Sequence, residues 1–374
     1  MPLFDVYPLY NVTPVSGKDI HVYDENGTEY VDLYGGHAVI SSGHSHPKYV
    51  EAITKQVATL GFYSNAIQNP LQLQLADKLE TLSGCKDYEL FLCNSGAEAN
   101  ENALKLASFK TGKSRVVAFK NGFHGRTSAA VAATDNANII APINAQQKVT
   151  ILPLNDIKGV KTELEKGDVC AVIVEFIQGV GGLDQATADF FESVDKLCKA
   201  NNTMFIADEV QSGYGRSGKF FAFQHYNVSP DIISIAKGMG NGFPIGGILI
   251  HPSIKSTYGM LGTTFGGNHL ACAAGLAVLN TIEQDNLIAN VNTISEYFMS
   301  IAKTIPQIKN IKGRGLMLGL EFDFEVGELR KTLIYDYHMF TGGASNKKLL
   351  RILPPLTIKK AQIDQFFEAL KKAL

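Results

Sequence analysis

The sequence predicts an α/β protein, with a large domain on a mostly parallel central sheet and a smaller α/β domain assembled from both ends of the chain. Three observations carry that expectation. Through the middle of the chain, short apolar runs alternate with amphipathic stretches, the pattern of repeated strand–helix units. Most of the runs are continuously apolar, as strands covered on both faces of a parallel sheet require. The flanks lose this rhythm, with a hairpin signal at one end and helical stretches at the other.

In chain order, residues 1–44 contain the hairpin His21–Val31, which turns at Asn26-Gly27, a pair suited to the positive φ of a tight turn. Strands are expected at Glu89–Cys93, Arg115–Phe119, Val169–Glu175, Thr203–Asp208, Asp231–Ala236 and Ile245–Ile250. Amphipathic helices such as Ala97–Phe109 and Asp189–Ala200 lie between them. After about residue 270 comes a long Ala/Leu-rich helix, then a strand-like Leu316–Phe322 and a terminal helix, Lys359–Leu374. The expected division is 1–44 and 270–374 in the small domain and 45–269 in the large one.

Composition narrows the function classes. The 374 residues are 45% hydrophobic and 19% charged, with a mean hydropathy of +0.02, as in ordinary soluble proteins. With 34 basic and 36 acidic side chains the net charge is −2, which gives no support for a nucleic-acid or membrane-surface partner. No apolar run approaches the roughly 20 residues that span a bilayer. The N-terminus, Met1-Pro-Leu-Phe-Asp-Val-Tyr7, lacks the basic start and apolar core of a signal peptide. The cytoplasm is the expected location. Cys85, Cys93, Cys170, Cys198 and Cys272 form no CxxC pair and are expected to be buried reduced thiols.

In an open parallel sheet, ligands bind where strands end and helices begin, and four strand ends carry unusual residues. At Asn94-Ser95-Gly96-Ala97, small residues open a helix whose free N–H groups attract a phosphate; Ser95 and Glu98 also fit a plain capping box. In Lys120–Thr127, Phe123 beside Arg126 suits a flat ring and a carboxylate, although as a loop motif it is weak alone. Asp208 and Glu209 end an apolar strand, where acids are costly unless paired or used; a strand-end acid also serves as a helix cap. Lys237 ends another apolar strand, a setting where desolvation favours the neutral amine, unless the side chain simply snorkels outward. Together these describe a phosphate cradle, a ring stack, an acid for a pyridinium nitrogen and an imine-forming amine.

With those residues in place, the sequence resembles the class-III pyridoxal-phosphate aminotransferases of fold type I, most closely the acetylornithine/succinylornithine branch. The resemblance runs end to end. It passes through Gly43-His-Ser-His-Pro47, Asn94–Glu101, Phe123-His-Gly-Arg126, Asp208-Glu-Val-Gln-Ser-Gly213, Ala236-Lys-Gly238, Gly242-Phe-Pro-Ile-Gly246, Thr263-Thr-Phe-Gly-Gly-Asn268 and Arg351-Ile-Leu-Pro-Pro355. It implies that Ser95, Gly96 and Ala97 hold the pyridoxal 5'-phosphate phosphate, that Phe123 stacks on the ring, that Asp208 pairs with its nitrogen and that Gln211 reaches its oxygen. Lys237 is then the Schiff-base lysine. The active sites of a homodimer are shared, with Thr264 binding the neighbouring subunit's cofactor phosphate and Thr263 contacting substrate there. Arg126 is implied as the clamp for the α-carboxylate of an acylated ornithine, and Arg351 as the clamp for glutamate or 2-oxoglutarate. The implied reaction moves the δ-amino group of N-acetylornithine or N-succinylornithine to 2-oxoglutarate, in arginine biosynthesis. Ornithine and 4-aminobutyrate are the alternative donors.

Three positions depart from the family pattern. Val180, in Gln178-Gly-Val-Gly-Gly182, stands where a glutamate usually forms a switchable ion pair with the equivalent of Arg351. Arg351 is therefore expected to stay uncovered or to take another partner. His37 replaces a more usual apolar residue and is expected to serve as a structural group or to bind a second carboxylate, as on a succinyl group. Leu261 stands where many relatives carry histidine.

Other motifs fail in context. Gly213-Tyr-Gly-Arg-Ser-Gly218 fits GxGxxG, but the strand ends too early and no amphipathic helix follows at once. Gly112-Lys-Ser114 lacks the first P-loop glycine, since position 107 is Ala107. His44 and His46 have no acidic or Cys partner at a metal-binding spacing, and they read as a turn. A non-catalytic binding protein on this fold would have lost the cofactor constellation, which is intact.

Overall fold

The computed structural model describes residues 1–374. The N-terminal strands β1 (Pro14–Lys18), β2 (His21–Asp24) and β3 (Glu29–Asp32) form a meander, with the expected Asn26-Gly27 turn between the last two. A single turn, α1 (Gly35–Ala38), follows, and Gly35, Gly36, His37 and Ala38 all have positive φ (55°, 54°, 68° and 63°). For His37 and Ala38 this is a strained left-handed conformation that surrounding contacts must hold. Helices α2 (Pro47–Thr59) and α3 (Pro70–Ser83) both begin on proline, whose missing N–H is lost at no cost in a first turn.

The large sheet is built from β4 (Glu89–Cys93), β5 (Arg115–Phe119), β6 (Val149–Leu152), β7 (Val169–Val174), β8 (Met204–Asp208), β9 (Ile232–Ile235) and β10 (Gly246–Ile250). Its order is β4-β10-β9-β8-β7-β5-β6. Strand β10 runs antiparallel to both neighbours, and the remaining pairs are parallel. The connecting helices are α4 (Gly96–Thr111), the short α5 (Ser128–Ala132), α6 (Ile157–Leu164) and α7 (Ala188–Ala200). Strand β7 is buried at every position, which is why its sequence reads as one apolar run.

Strands β4 and β5 have the expected bounds, and the other expected strands shorten by a residue at one or both ends. Strand β6 is an addition. It is a four-residue edge strand, half-buried throughout, so it never builds the apolar run that marks its neighbours. The helical stretch after residue 270 is two helices, α8 (His269–Gln284) and α9 (Leu287–Ala302). The break falls at Asn286, whose left-handed φ of 50° no helix continues through.

The C-terminal part contributes β11 (Asn310–Arg314), β12 (Met317–Glu321), α10 (Gly327–Tyr335), β13 (Met339–Phe340), β14 (Leu349–Ile352) and α11 (Lys360–Ala373). Strand β13 pairs in parallel with β3, so one sheet contains strands from both chain ends. Strands β11, β12 and β14 form a separate antiparallel sheet. One apolar cluster of 66 buried residues runs from the large sheet into β12 and β14, which ties the strand ends of the one to the strand carrying Arg351 in the other. All five cysteines are buried free thiols.

Candidate active site

The carboxyl ends of the parallel strands open on a cavity of about 350 Å³. At the end of β4 the chain turns at Asn94, and the Ser95 hydroxyl caps α4 by accepting from Glu98 N–H at 3.1 Å. The Glu98 carboxylate reaches back to Asn94 N–H at 2.7 Å. The capping reading and the cradle reading therefore coexist: Gly96 N–H and Ala97 N–H find no acceptor in the chain and sit at the positive end of the helix dipole. Glycine is required at 96, because a Cβ there would lie 2.6 Å from Val210 Cγ1.

Asp208, at the end of β8, is buried. Its Oδ2 accepts from His124 Nδ1 at 2.8 Å and from Asn100 Nδ2 at 2.8 Å, while Oδ1 accepts from Val210 N–H at 3.1 Å. Donors converging on both oxygens hold an acceptor-only carboxylate. Burial disfavours charge on His124, but the Asp208 bond and charge outweigh it, and the imidazole pKa is raised. Glu209, next along, has a structural role: its carboxylate accepts from Ser212 Oγ and from the N–H groups of Ala222 and Phe223. Burial pushes its pKa up to about 7.

Lys237 follows β9 with a left-handed φ of 47°, a strained setting at the cavity floor, and its amine forms no ion pair. Burial lowers its pKa, against the pull of Asp208 and Glu175, and Arg351 adds to the lowering. Across the cavity, Glu175 Oε1 accepts from Phe123 N–H and Oε2 from Gly179 N–H, each at 2.8 Å. One carboxylate thus sets both the ring-bearing loop and the loop ahead of Val180. Its desolvation raises its pKa.

The two arginines differ. Arg126 is exposed on the cavity wall and makes no ion pair. Arg351 is 3% exposed. Its Nη1 donates to Gly179 O at 2.7 Å, its Nε to Gly343 O at 2.5 Å and its Nη2 to Tyr34 Oη at 3.2 Å. No carboxylate lies within ion-pairing distance, and the guanidinium's partners are two carbonyls and a phenol. Burial lowers the Arg351 pKa.

The cavity fits pyridoxal phosphate. Its wall carries the free N–H pair of α4, the Asp208 carboxylate and the unpaired Lys237 amine. Gln211, 7% exposed, donates Nε2 to His37 O at 3.1 Å, and its buried Oε1 has no partner in the chain. Gln211 lines the cavity, and buried polar atoms without partners are rare.

Of the residues singled out by sequence, Ser95, Gly96, Ala97, Phe123, Arg126, Asp208, Gln211 and Lys237 line this one cavity. Arg351 joins it through Gly179. Thr263 and Thr264 lie outside it, on the loop before α8; Thr263 Oγ1 accepts from Gly266 N–H at 3.1 Å, and Thr264 is exposed. His37 bonds through Nδ1 to Tyr34 Oη at 2.5 Å. His44 pairs with Asp32, and His46 with Asp285. Sequence reasoning missed His124, Asn100, Glu175 and Tyr34. His124 stood inside the quoted Phe123–Arg126 motif, and a histidine there was the available signal. Asn100 likewise stood inside the quoted Asn94–Glu101 motif, while the roles of Glu175 and Tyr34 emerge only from pairings distant along the chain.

Comparison with known proteins follows the same line. The aminotransferase class-III family profile matches residues 6–374. The acetylornithine aminotransferase of Caldanaerobacter subterraneus is 40% identical, over 100% of this chain and 97% of its own. That of Bacillus subtilis is 39% identical, over 100% and 97%. Among solved structures, the ornithine aminotransferase of Toxoplasma gondii superposes with a TM-score of 0.91 at 26% identity, covering 98% of this chain and 91% of its own. An aminotransferase of Bacillus anthracis gives 0.90 at 25%, covering 99% and 95%.

Proposed function

The chain belongs to the class-III aminotransferases, which use pyridoxal 5'-phosphate, and from that premise we propose that it moves the δ-amino group of N-acetylornithine or N-succinylornithine to 2-oxoglutarate. The products are the acylated glutamate semialdehyde and glutamate, and the pathway role is arginine biosynthesis. The observation that carries this reading is one cavity holding an unpaired lysine amine, with two carboxylate-free arginines at its margin. The curated relatives named acetylornithine aminotransferase support the donor.

Pyridoxal phosphate supplies an aldehyde carbon that carries the amino group and a ring that accepts the electron pair released at the substrate carbon. The chain's residues do the rest. Gly96 and Ala97 N–H groups, with Ser95, hold the phosphate, and Phe123 covers the ring face. Asp208, fixed by His124 and Asn100, presents a carboxylate to the ring nitrogen, and Gln211 faces the ring oxygen. Lys237 Nζ would hold the cofactor's aldehyde carbon and would serve as the base that takes the proton from the substrate's δ-carbon onto its own nitrogen; its lowered pKa keeps the amine neutral and available for that task. Arg126 holds the α-carboxylate of the acylated donor, and Arg351 the carboxylate of the oxo acid next to the reacting carbon. Thr263 and Thr264 act in the neighbouring subunit's site of a homodimer.

No helix is long and apolar enough to cross a membrane, and we place the enzyme in the cytoplasm. The test is a donor panel of N-acetylornithine, N-succinylornithine, ornithine and 4-aminobutyrate with 2-oxoglutarate as acceptor. An acylated ornithine should give the highest kcat/KM. A preference for 4-aminobutyrate or free ornithine would overturn the assignment.

A further inference from the structure

We propose that Tyr34 and His37 form a directed hydrogen-bond relay that holds Arg351 where the family places an acidic side chain, which makes His37 a positioning residue for the oxo acid's carboxylate. The proposal rests on the reading of Arg351 as that carboxylate's clamp. A guanidinium only donates, so Tyr34 Oη must accept from Arg351 Nη2. The phenol proton then has to go elsewhere, and the group in reach is His37 Nδ1 at 2.5 Å. In the relay the imidazole is neutral, with Nδ1 accepting the phenol proton and its own proton on Nε2.

Tyr34 is held by more than one neighbour. The Arg351 guanidinium lies 5.7 Å from the centre of the Tyr34 ring. The ring also meets Gly342, where a Cβ would come within 2.3 Å of Tyr34 Cε2. His37 sits in the left-handed turn α1, and its carbonyl accepts from Gln211 Nε2 at 3.1 Å. One residue therefore touches both the glutamine on the cofactor side and, through Tyr34, the clamp.

A neutral relay does what a carboxylate partner cannot. The two carbonyls and the phenol satisfy three of the five guanidinium N–H bonds without cancelling the charge, leaving a buried cation for an incoming carboxylate. The groups facing the relay favour that state. Arg351, Lys237 and Arg330 all lie near His37; burial and these cations keep the imidazole pKa below its ordinary value. Arg330 and Tyr10 also face Tyr34, and Glu175 faces Arg351. Protonation of His37 would turn Nδ1 into a donor, leave Tyr34 Oη between two donors and loosen the Arg351 contact.

The experiment is steady-state kinetics of the holoenzyme, with KM for 2-oxoglutarate and for the amine donor measured across pH. The variants are Tyr34→Phe, His37→Phe, His37→Asn, the Tyr34→Phe/His37→Phe double variant and Arg351→Ala. Tyr34→Phe and His37→Phe should each raise the 2-oxoglutarate KM about three- to tenfold, the worth of one ordinary hydrogen bond. The donor KM should hold, the double variant should be no worse than either single, and His37→Asn, which keeps an acceptor, should recover part of the loss. The wild-type rise in 2-oxoglutarate KM at acid pH should vanish in His37→Phe. Equal losses in both half-reactions, or additive losses in the double variant, would overturn the relay. So would unchanged KM values in the Tyr34 and His37 variants when Arg351→Ala raises the 2-oxoglutarate KM. An unchanged KM in Arg351→Ala would instead overturn the clamp assignment and the relay with it. If His37→Phe fails to fold, Tyr34→Phe with its pH profile decides.

Discussion

Gly179→Ala adds one methyl group at the crossing of three interactions, and the geometry sets the size of its effect. The new Cβ would lie 2.1 Å from Gln211 Oε1 and 2.8 Å from Gln211 Cδ. That is about 1 Å inside the closest normal approach of such atoms. The backbone at 179 is not left-handed, so the strain is steric and falls on Gln211. Being 7% exposed, Gln211 cannot swing into solvent, and moving it breaks its bond to His37 O. Overpacking of this kind costs about 1–3 kcal/mol, and the lost hydrogen bond about 0.5–1.5 kcal/mol more. A displacement of about 1 Å at the reacting centre can lower turnover on the order of 10²-fold. Urea unfolding of the apoprotein, cofactor retention on dialysis and kcat for both half-reactions measure these effects. Gly327→Ala is the control, because a Cβ there meets nothing within 4 Å. It should be neutral or slightly stabilising. A Gly179→Ala enzyme as stable and active as the Gly327→Ala control would refute the packing of Gln211 against Gly179.

Three further outcomes are expected. Val180→Glu gives Arg351 a carboxylate to pair with when the donor brings none there, so donor kinetics should change more than 2-oxoglutarate kinetics; equal changes in stopped-flow traces of the two half-reactions would contradict this. The His124–Asp208 bond raises the histidine pKa, so its stabilisation is fully present below the unfolded imidazole value and is lost as pH rises through the raised one. The stability gap between wild type and His124→Asn, from urea midpoints, should therefore narrow toward alkaline pH; a gap that widens reverses the sign and refutes the pairing. Burial pushes the thiols of Cys93 and Cys272 up to about 12 and that of Cys170 to about 11, so a thiol reagent should titrate all five cysteines only after unfolding. Fast labelling of the native protein would contradict their burial.

Much of the large sheet could be read from the chain because a strand buried on both faces must be apolar at nearly every position, as β7 and β8 are. Edge strand β6, half in solvent, carries no such constraint and left no signal. The break at Asn286 was equally hidden, since an apolar helical pattern flanks it on both sides. At the site, residues at strand ends announced themselves through unusual chemistry, as Asp208 and Lys237 did. The residues that orient them did not. His124 meets Asp208 across 84 positions, and Tyr34 meets Arg351 across 317, distances at which no local pattern operates. Val180 drew attention to the partners of Arg351, but only the fold brings Tyr34 to its guanidinium. The left-handed turn at His37 was not read from the chain: Gly35-Gly36 permit its start, but the two non-glycine residues that continue it depend on tertiary contacts.

The assignment of Lys237 as the cofactor's covalent anchor is open to a direct measurement. Holoenzyme reduced with sodium borohydride, digested and analysed by mass spectrometry should carry the cofactor's mass on the peptide containing Lys237, and Lys237→Ala should carry none. Label on another lysine, or a Lys237→Ala enzyme that still fixes the cofactor and transfers amino groups, would contradict the account.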